Sequence, residues 1–425
     1  MDPARPAAAL MSLDEALQRL VEGSHHCVIH EVQTMSLLEA AGRVLAGPIQ
    51  SLIDVPPGDN TSMDGYALRA ADAAAPGARL PVGQRIAAGQ LGRVLKPGTV
   101  ARIFTGAQLP PGADTVVMQE QCQSLASSNG DGLGEVVIQA SVKAGQWIRR
   151  RGEDVRAGTE VLPRGCRLTP QAMGLAASVG CAEVAVVRRP RVALFSTGDE
   201  LVMPGEVSPQ QMRPGAIYNS NRYTLRGLLL AAGCEVTDLG IVPDRLEATR
   251  AMLRQASQGH DLIVTSGGVS VGEEDHIKPA VQAEGRLDLW QMAIKPGKPL
   301  AFGSVRASSD RDCLFMGLPG NPVSSFVTFL LAVAPVLKVL QGIPLQNLRA
   351  QHLRADFDWI RPDRRREFLR ARLNERGGLD LFPNQSSGVL TSAVWADGLV
   401  DNPPGATIEQ GQMVRFLSFA DLLFS

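Results

Sequence analysis

Four short segments of this chain carry residue types suited to holding anions. They are Ser196-Thr-Gly-Asp-Glu200, Ser266-Gly-Gly-Val-Ser-Val-Gly272 with Glu273-Glu-Asp275 behind it, Lys295-Pro-Gly-Lys298, and Gly317-Leu-Pro-Gly-Asn-Pro322. Glycines let the backbone approach a ligand closely, and a turn opening onto a helix offers free N–H groups and a partial positive charge. Asn321 suits the N-cap and Pro322 the first helical position, so that loop should end at a helix start. Lys295 and Lys298 place two ammonium groups across a rigid turn, which suits a tetrahedral oxyanion, though an isolated Lys-Pro-Gly-Lys also reads as a solvated turn. Glu200, Asp244 and Asp275 would repel a phosphorylated ligand unless a cation intervened, and magnesium takes carboxylate and phosphate oxygens together. For Asp244, capping of the helix that follows is the competing reading. No Ser-His or Cys-His arrangement points to a protein nucleophile.

These segments need a scaffold that brings them together. Short apolar runs at 192–195, 236–241, 262–265 and 314–316 alternate with helical patterns, as in an α/β domain with a mainly parallel sheet. Leu225, Leu228, Leu229 and Ala232 share one helical face that ends at Gly233. In such a sheet ligands collect outside the carboxyl ends of the strands, where these loops lie. A single glycine loop is equally well explained as a tight turn, and it is their convergence that points to binding. The run 287–294 reads as a further strand.

The flanks have a different texture. Ser12-Leu-Asp-Glu15 and Ser36-Leu-Leu-Glu39 are capping boxes that predict two short helices. From 53 to 150 short Val/Ile runs are broken by turn residues, which predicts a β-rich module. Within it, 115–120 and 135–139 are expected to form a hairpin around Ser127-Ser-Asn-Gly-Asp-Gly132. Beyond 342 the pattern is β again, at 367–373 and 379–382, predicting a small barrel or sandwich.

Composition narrows the function class. A chain of 425 residues, 44% hydrophobic and 20% charged, can build several cores. Its net charge of −1, with both signs interspersed, argues against a nucleic-acid face. The apolar run 326–337 falls short of the roughly 20 residues a bilayer span needs and predicts a buried helix. The first ten residues lack the basic-then-apolar order of a signal peptide, so a cytoplasmic protein is expected. Six scattered cysteines show neither zinc spacing nor a disulfide framework, and His25, His26 and His30 read as a surface helix more readily than as a metal cluster.

The order of the motifs resembles a known family. Asn60-Thr-Ser-Met-Asp-Gly-Tyr-Ala67, Arg102-Ile-Phe-Thr-Gly-Ala107, Arg150-Arg-Gly-Glu-Asp154 and the four segments above occur as in MoeA and the gephyrin E domain, the molybdopterin molybdenumtransferases. The likeness runs from about Ser12 to the C-terminus. It implies an α/β multidomain chain. Residues 1–51 and 145–182 would form a discontinuous N-terminal linking and dimerisation domain, and 52–144 an inserted β-rich domain. Residues 183–342 would form the central α/β molybdopterin-binding domain, and 343–425 the C-terminal β domain.

The resemblance also implies a reaction. Molybdate is inserted into adenylylated molybdopterin, AMP leaves, and a divalent cation (Mg2+) assists. The active species would be a homodimer in which the inserted domain of one subunit completes the site of the other. The enzyme that makes the adenylylated pterin and molybdoenzyme maturation factors are further expected partners. Matched by position, the catalytic set is Asp64, Thr105, Asp154, Glu200, Asp244, Asp275 and Lys295, with Glu200, Asp244 and Asp275 toward magnesium. Ser266, Gly267, Gly268, Ser270, Gly272, Pro319, Gly320, Asn321 and Pro322 would bind molybdopterin and its phosphate. Lys298, Ser324, Arg370, Ser386 and Ser387 would hold molybdate. Gln291 stands where many relatives have a basic residue, with Arg102 and Arg222 as candidate substitutes. A gephyrin-like scaffold without catalysis is the alternative from a different class, and a nucleotide-processing enzyme on the same α/β domain is a third reading.

Overall fold

In the computed structural model of the chain, residues 10–126, 132–269, 276–307, 312–346 and 348–424 are described. Ser12 and Glu15 form the full capping box, with Glu15 N–H donating to Ser12 Oγ at 3.2 Å and Ser12 N–H to Glu15 Oε2 at 3.1 Å. The helix Leu13–Ser24 follows and buries Leu13, Ala16 and Leu20. The second box behaves differently. Ser36 accepts from Leu38 N–H, but Leu37–Glu39 is only a single 3-10 turn. The strand Val32–Ser36 is committed to pairing with Glu183–Val187, and Leu37 N–H donates to Ala182. After the turn Gly42 N–H donates to Leu168 O and Leu45 bridges Val186, so pairing on both sides leaves no room for a longer helix.

Ile49–Gln50 pairs with Glu160–Leu162, so segments before and after the β-rich module build one core from Leu37, Leu45, Ile49, Leu162, Leu168 and Ala176. The module between them is a six-stranded sheet. Its hairpin joins Cys122–Leu125 to Glu135–Ile138, which corrects the expectation that 115–120 is the first arm. Thr115–Met118 instead pairs with Gly65–Leu68, and a 3-10 turn at Gln119–Gln121 separates the two strands. Both runs have β-forming composition, and only sheet assembly decides which one meets 135–138.

The α/β domain holds a six-stranded sheet in the order Glu235–Val242, Arg191–Thr197, Leu262–Ser266, Asp312–Leu318, Pro299–Arg306, Gly285–Gln291. The first four strands are mutually parallel, Pro299–Arg306 runs antiparallel to them, and Gly285–Gln291 runs antiparallel to Pro299–Arg306. The helix Ser220–Ala231 buries Leu225, Leu228 and Leu229 and ends at Gly233 with φ +87°. Residues Pro322–Leu340 form one continuous helix, long and apolar enough to cross a membrane, yet 83% buried in the largest core, with a π-helical stretch at Phe329–Val333.

The last module is a sheet ordered Arg366–Leu373, Gly398–Asn402, Met413–Ser418, Gln351–Arg354, with Leu379–Leu381 on the free side of Arg366–Leu373. A bridge between Ala355 and Leu379 links its two edges, making a small barrel. Ile294–Lys295 of the α/β domain adds to it as a parallel strand against Arg366–Glu367, which ties the two modules together.

Candidate functional site

The register of the parallel strands sets their carboxyl-terminal loops side by side. Ser196 pairs with Ser266 and Ser266 with Leu318. The Ser196 and Ser266 hydroxyls lie 3.2 Å apart, and Gly267 N–H donates to Leu318 O at 3.1 Å. Two of the glycines are required by geometry. At Gly267, φ is +89° and a Cβ would sit 2.4 Å from Thr197 O; at Gly268, φ is +65° and a Cβ would sit 2.8 Å from Thr197 Oγ1. A side chain at either would collide with the neighbouring loop, so only glycine lets the two loops close up.

Asn221 Nδ2 donates to Gly320 O at 2.7 Å, bringing the start of helix 220–231 to the same edge. The Ser325 hydroxyl donates to Pro319 O and pins the Pro319-Gly320-Asn321 loop from its own helix. Asn321 is the N-cap by position and Pro322 the first helical residue, but the Asn321 side chain makes no capping bond. One expected helix-start donor is already used: Val323 N–H is bound to Ser387 O at 3.0 Å. That bond brings the barrel segment containing Ser386 and Ser387 to the sheet edge.

Several buried polar atoms near this edge have no partner among the described residues, including Thr197 Oγ1, Thr265 Oγ1, Asn219 Nδ2 and Asn221 Oδ1. Buried polar groups are rarely left so, and each that is calls for a ligand or water. The sequence placed Thr197 inside the Ser196–Glu200 segment without giving its hydroxyl a role, and gave Thr265, Asn219 and Asn221 none. The signal available for the two asparagines was the Asn219-Ser220 helix start behind the Pro214-Gly215 turn.

Glu200 is exposed, and its carboxylate covers Gly198. Asp244 does not cap the helix Leu246–Ser257, whose N-cap is Arg245 without a side-chain bond, so the capping reading is removed. Its N–H donates to Asp199 Oδ1 at 3.2 Å, so the Glu200 and Asp244 loops abut. Among the described residues no three His, Cys, Asp or Glu converge as a metal cluster. Two carboxylates on abutting loops still suit magnesium, which uses one or two of them with substrate phosphates. Ser270, Gly272 and Asp275 lie outside the described residues.

The two lysines of the basic turn are used differently. The Lys295 ammonium donates to Glu367 at 3.0 Å and lies 3.4 Å from Asp363, so it is neutralised within the chain. Glu367, 0% exposed, also accepts from Trp359 Nε1 at 2.8 Å and Asp363 N–H at 3.2 Å. It fixes the basic turn to the barrel. Lys298 lines a cavity of about 500 Å³ with Leu10, Pro362, Asp363, Arg364 and Arg365. The Arg365 guanidinium beside Asp363 holds that carboxyl well below the usual carboxylate range. A Cβ at Gly297 would lie 3.5 Å from Ser324 O and 2.4 Å from Thr328 Oγ1, so Ser324 and the unpartnered Thr328 back the same turn.

Arg370 is the most unusual charge in the molecule. It is 1% exposed, and its donors reach only neutral oxygens: Ser392 Oγ at 3.2 Å, Phe368 O at 3.1 Å and Ser386 O at 3.4 Å. No carboxylate pairs with it among the described residues, and burial lowers its pKa to about 10. A buried cation without a counter-charge is costly unless an anion arrives.

The inserted module carries a separate group. Asp64 Oδ1 accepts from Thr105 N–H at 2.8 Å and Thr105 Oγ1 at 2.7 Å, and the first of these bonds is the main reason its pKa is lowered. Asp154 lines a cavity of about 440 Å³ with Val55, Pro56, Asn60, Arg149 and Glu153, where Asn60 Oδ1 is buried without a partner. Among the described residues no hydrogen bond, ion pair or core cluster joins this group to the sheet edge. The proposed substitutes for a basic residue at 291 are both engaged elsewhere. Arg222 pairs with Asp238 at 2.7 Å, and Arg102 donates to Gly65 O and Gln119 inside the inserted module.

Comparison with known proteins agrees with this geometry over nearly the whole chain. Three family models match in order: the MoeA N-terminal region (domain I and II) at 11–180, a probable molybdopterin binding domain at 193–339, and the MoeA C-terminal region (domain IV) at 352–419. The chain is 41% identical to the molybdopterin molybdenumtransferase of Haemophilus influenzae over 78% of each chain. It is 37% identical to that of Nostoc sp. over 74% of this chain and 70% of the relative. The crystal structure of the molybdopterin biosynthesis MoeA protein from Pyrococcus horikoshii OT3 superposes with a TM-score of 0.80 at 26% identity, covering 97% of this chain and 100% of the other. With its glycine-lined sheet edge, its barrel arginine and these matches spanning all of its modules, the chain belongs to the MoeA family of molybdopterin molybdenumtransferases.

Proposed function

We propose that this chain carries out the insertion step of molybdenum cofactor synthesis, in which molybdate enters adenylylated molybdopterin and AMP is released. The observation that carries this reading is Arg370, a buried guanidinium with only neutral partners that lies against Ser386. Its donors suit an oxyanion, and a dianion such as molybdate would supply the missing counter-charge. Lys298, Ser324, Ser386 and Ser387 belong to the same junction of helix start, basic turn and barrel. The glycine loops at 266–268 and 319–321 would take the pterin and its phosphate, since they offer backbone groups without side chains in the way.

Catalysis on this reading is electrostatic positioning of two anions, without a protein nucleophile. Glu200 and Asp244, with Asp275, would hold magnesium, which would offset the charge of the phosphoanhydride. Asp64 and Thr105 already form a fixed pair, and Asp154 lines the same cavity as Asn60, whose Oδ1 has no partner among the described residues. Because no hydrogen bond, ion pair or core cluster joins them to the sheet edge of their own chain among the described residues, we assign them to the site of a second copy, in a cytoplasmic homodimer.

The purified chain, adenylylated molybdopterin and magnesium should release AMP faster when molybdate is added. An Asp64→Ala chain mixed with an inactive sheet-edge variant should recover part of the activity, because one hybrid site is intact. AMP release indifferent to molybdate would refute the reaction, and failure of every mixture to recover would refute the shared site.

A further inference from the structure

The first turn of helix 220–231 meets the glycine loops with two side-chain amides. Asn219 is the N-cap, and its Oδ1 accepts from Arg222 N–H at 3.1 Å. Asn221, two residues on, donates from Nδ2 to Gly320 O at 2.7 Å. These bonds fix which way each amide faces, since only the oxygen can take an N–H and only the nitrogen can serve a carbonyl. The half of Asn219 left over is therefore a donor, Nδ2, and the half of Asn221 left over is an acceptor, Oδ1.

Both of these atoms are buried without a partner among the described residues, on residues only 2% and 8% exposed. A buried polar atom left unmet is costly and rare, so two at one helix start mark a place built to be filled. That place adjoins the glycine loops: a Cβ on Gly320, the residue Asn221 holds, would lie 3.8 Å from Gly267 Cα. The pair also restricts its occupant. An ionised phosphate or molybdate has no proton to give Asn221 Oδ1, and a metal ion cannot accept from Asn219 Nδ2. The edge of a nitrogen heterocycle, with an N–H donor beside a ring-nitrogen or carbonyl acceptor, satisfies both.

We propose that Asn219 and Asn221 are specificity-determining residues that read the donor and acceptor edge of the pterin ring, while the glycine loop 266–268 takes its phosphate. This rests on the cofactor-insertion reading and separates the ring from the phosphate within that site. The adenine of the adenylyl group presents an edge of the same chemistry. The pterin is assigned because Asn221 is bonded to the loop 319–321, which that reading gives to the pterin side.

Two variants test it on the full-length chain. Asn219→Ser keeps a capping oxygen for Arg222 N–H and removes only the free donor, so its Tm should match wild type. Asn221→Leu removes the free acceptor together with the Gly320 bond, and its Tm is measured alongside. Molybdopterin, hydroxymethylpterin (the ring without the phosphate) and AMP are titrated separately. Each variant should bind both pterins about tenfold more weakly than wild type, the loss of one good hydrogen bond, with AMP affinity unchanged. A loss confined to molybdopterin would put the pair at the phosphate, and a loss confined to AMP would put it at adenine. Unchanged binding of all three ligands by Asn219→Ser would leave water as the occupant, and equal losses for all three with a lowered Tm would leave a structural role. Each of these four results, or no binding of hydroxymethylpterin by wild type, overturns the proposal. Wild type that fails to bind molybdopterin, or to release AMP from its adenylylated form, would instead remove the cofactor-insertion reading.

Discussion

Two regions of this molecule face anions by opposite means. The sheet edge uses backbone: Gly267 and Gly268 close onto Thr197, and loops approach so tightly that no side chain fits between them. The barrel junction uses side-chain charge, with Lys295 neutralised by Glu367 and Asp363 while Arg370 is buried against neutral oxygens. A backbone cradle tolerates a bulky ligand and discriminates by shape. An uncompensated buried guanidinium discriminates by charge, and it suits a small dianion with no apolar surface. Which cation is available could not be judged from residue type, since Lys295 carries the charge but has already spent it inside the fold.

The largest expected effect breaks the charge side of this contrast. Arg370→Ala should raise the molybdate concentration needed for half-maximal turnover by about a hundredfold, leaving the affinity for adenylylated molybdopterin nearly unchanged. Arg370→Lys should restore little, because an ammonium lacks the planar fork. Separate titration of each ligand checks both, and equal loss of the two ligands would dissolve the distinction between the regions.

The converse variant is Gly267→Ala. It forces an L side chain into φ +89° with a Cβ 2.4 Å from Thr197 O, so stability should fall by roughly 1–3 kcal/mol. Pterin affinity should fall with it while the molybdate dependence of the remaining activity holds. Urea unfolding and ligand titration report the two parts. A variant that binds pterin normally would show that the glycine loops do not line its site.

Glu367→Gln sharpens the role of Lys295. Losing this carboxylate weakens its bonds to Lys295, Trp359 and the Asp363 amide, a destabilisation of about 1–3 kcal/mol. The basic turn should loosen from the barrel, and the molybdate requirement should rise less than in Arg370→Ala. Denaturant midpoints together with molybdate titration separate the two effects, and unchanged molybdate dependence would confine Glu367 to folding.

The smallest effect lies outside both regions. Asp64 has its pKa held below the ordinary value of 3.8, first by the Thr105 backbone bond and then by its hydroxyl. A depressed carboxyl pKa contributes stability above the ordinary value, and that contribution is lost as pH falls through the folded value. Thr105→Val keeps the backbone bond and removes the hydroxyl, so the Asp64 pKa should rise part of the way toward 3.8. Carbon-detected NMR titration of the carboxyl would show it, and no movement would mean that the hydroxyl does not hold the carboxylate.

Much of the architecture could be read directly from residue order. The apolar runs at 192–195, 262–265 and 314–316 became the inner parallel strands because a fully buried strand must be apolar on both faces, while 236–241, with Thr237 and Asp238, became the partly buried parallel edge strand. The capping box at Ser12 worked because an amphipathic stretch followed it, whereas the same signature at Ser36 followed a strand already committed to 183–187 and yielded one turn. The glycine loops were legible because positive φ and close backbone approach restrict the choice of residue to glycine. What the sequence determined by itself were the local elements, the loops able to approach a ligand, and the family to which the chain belongs. Only the tertiary structure decided that 122–125 rather than 115–120 pairs with 135–138, that Lys295 is neutralised by Glu367, and that Arg370 is buried against neutral oxygens with no carboxylate among the described residues. Those outcomes depend on which distant groups come to lie within a few ångströms. Residue type fixes a charge and a propensity, but burial and partners, which set what that charge can do, come from packing.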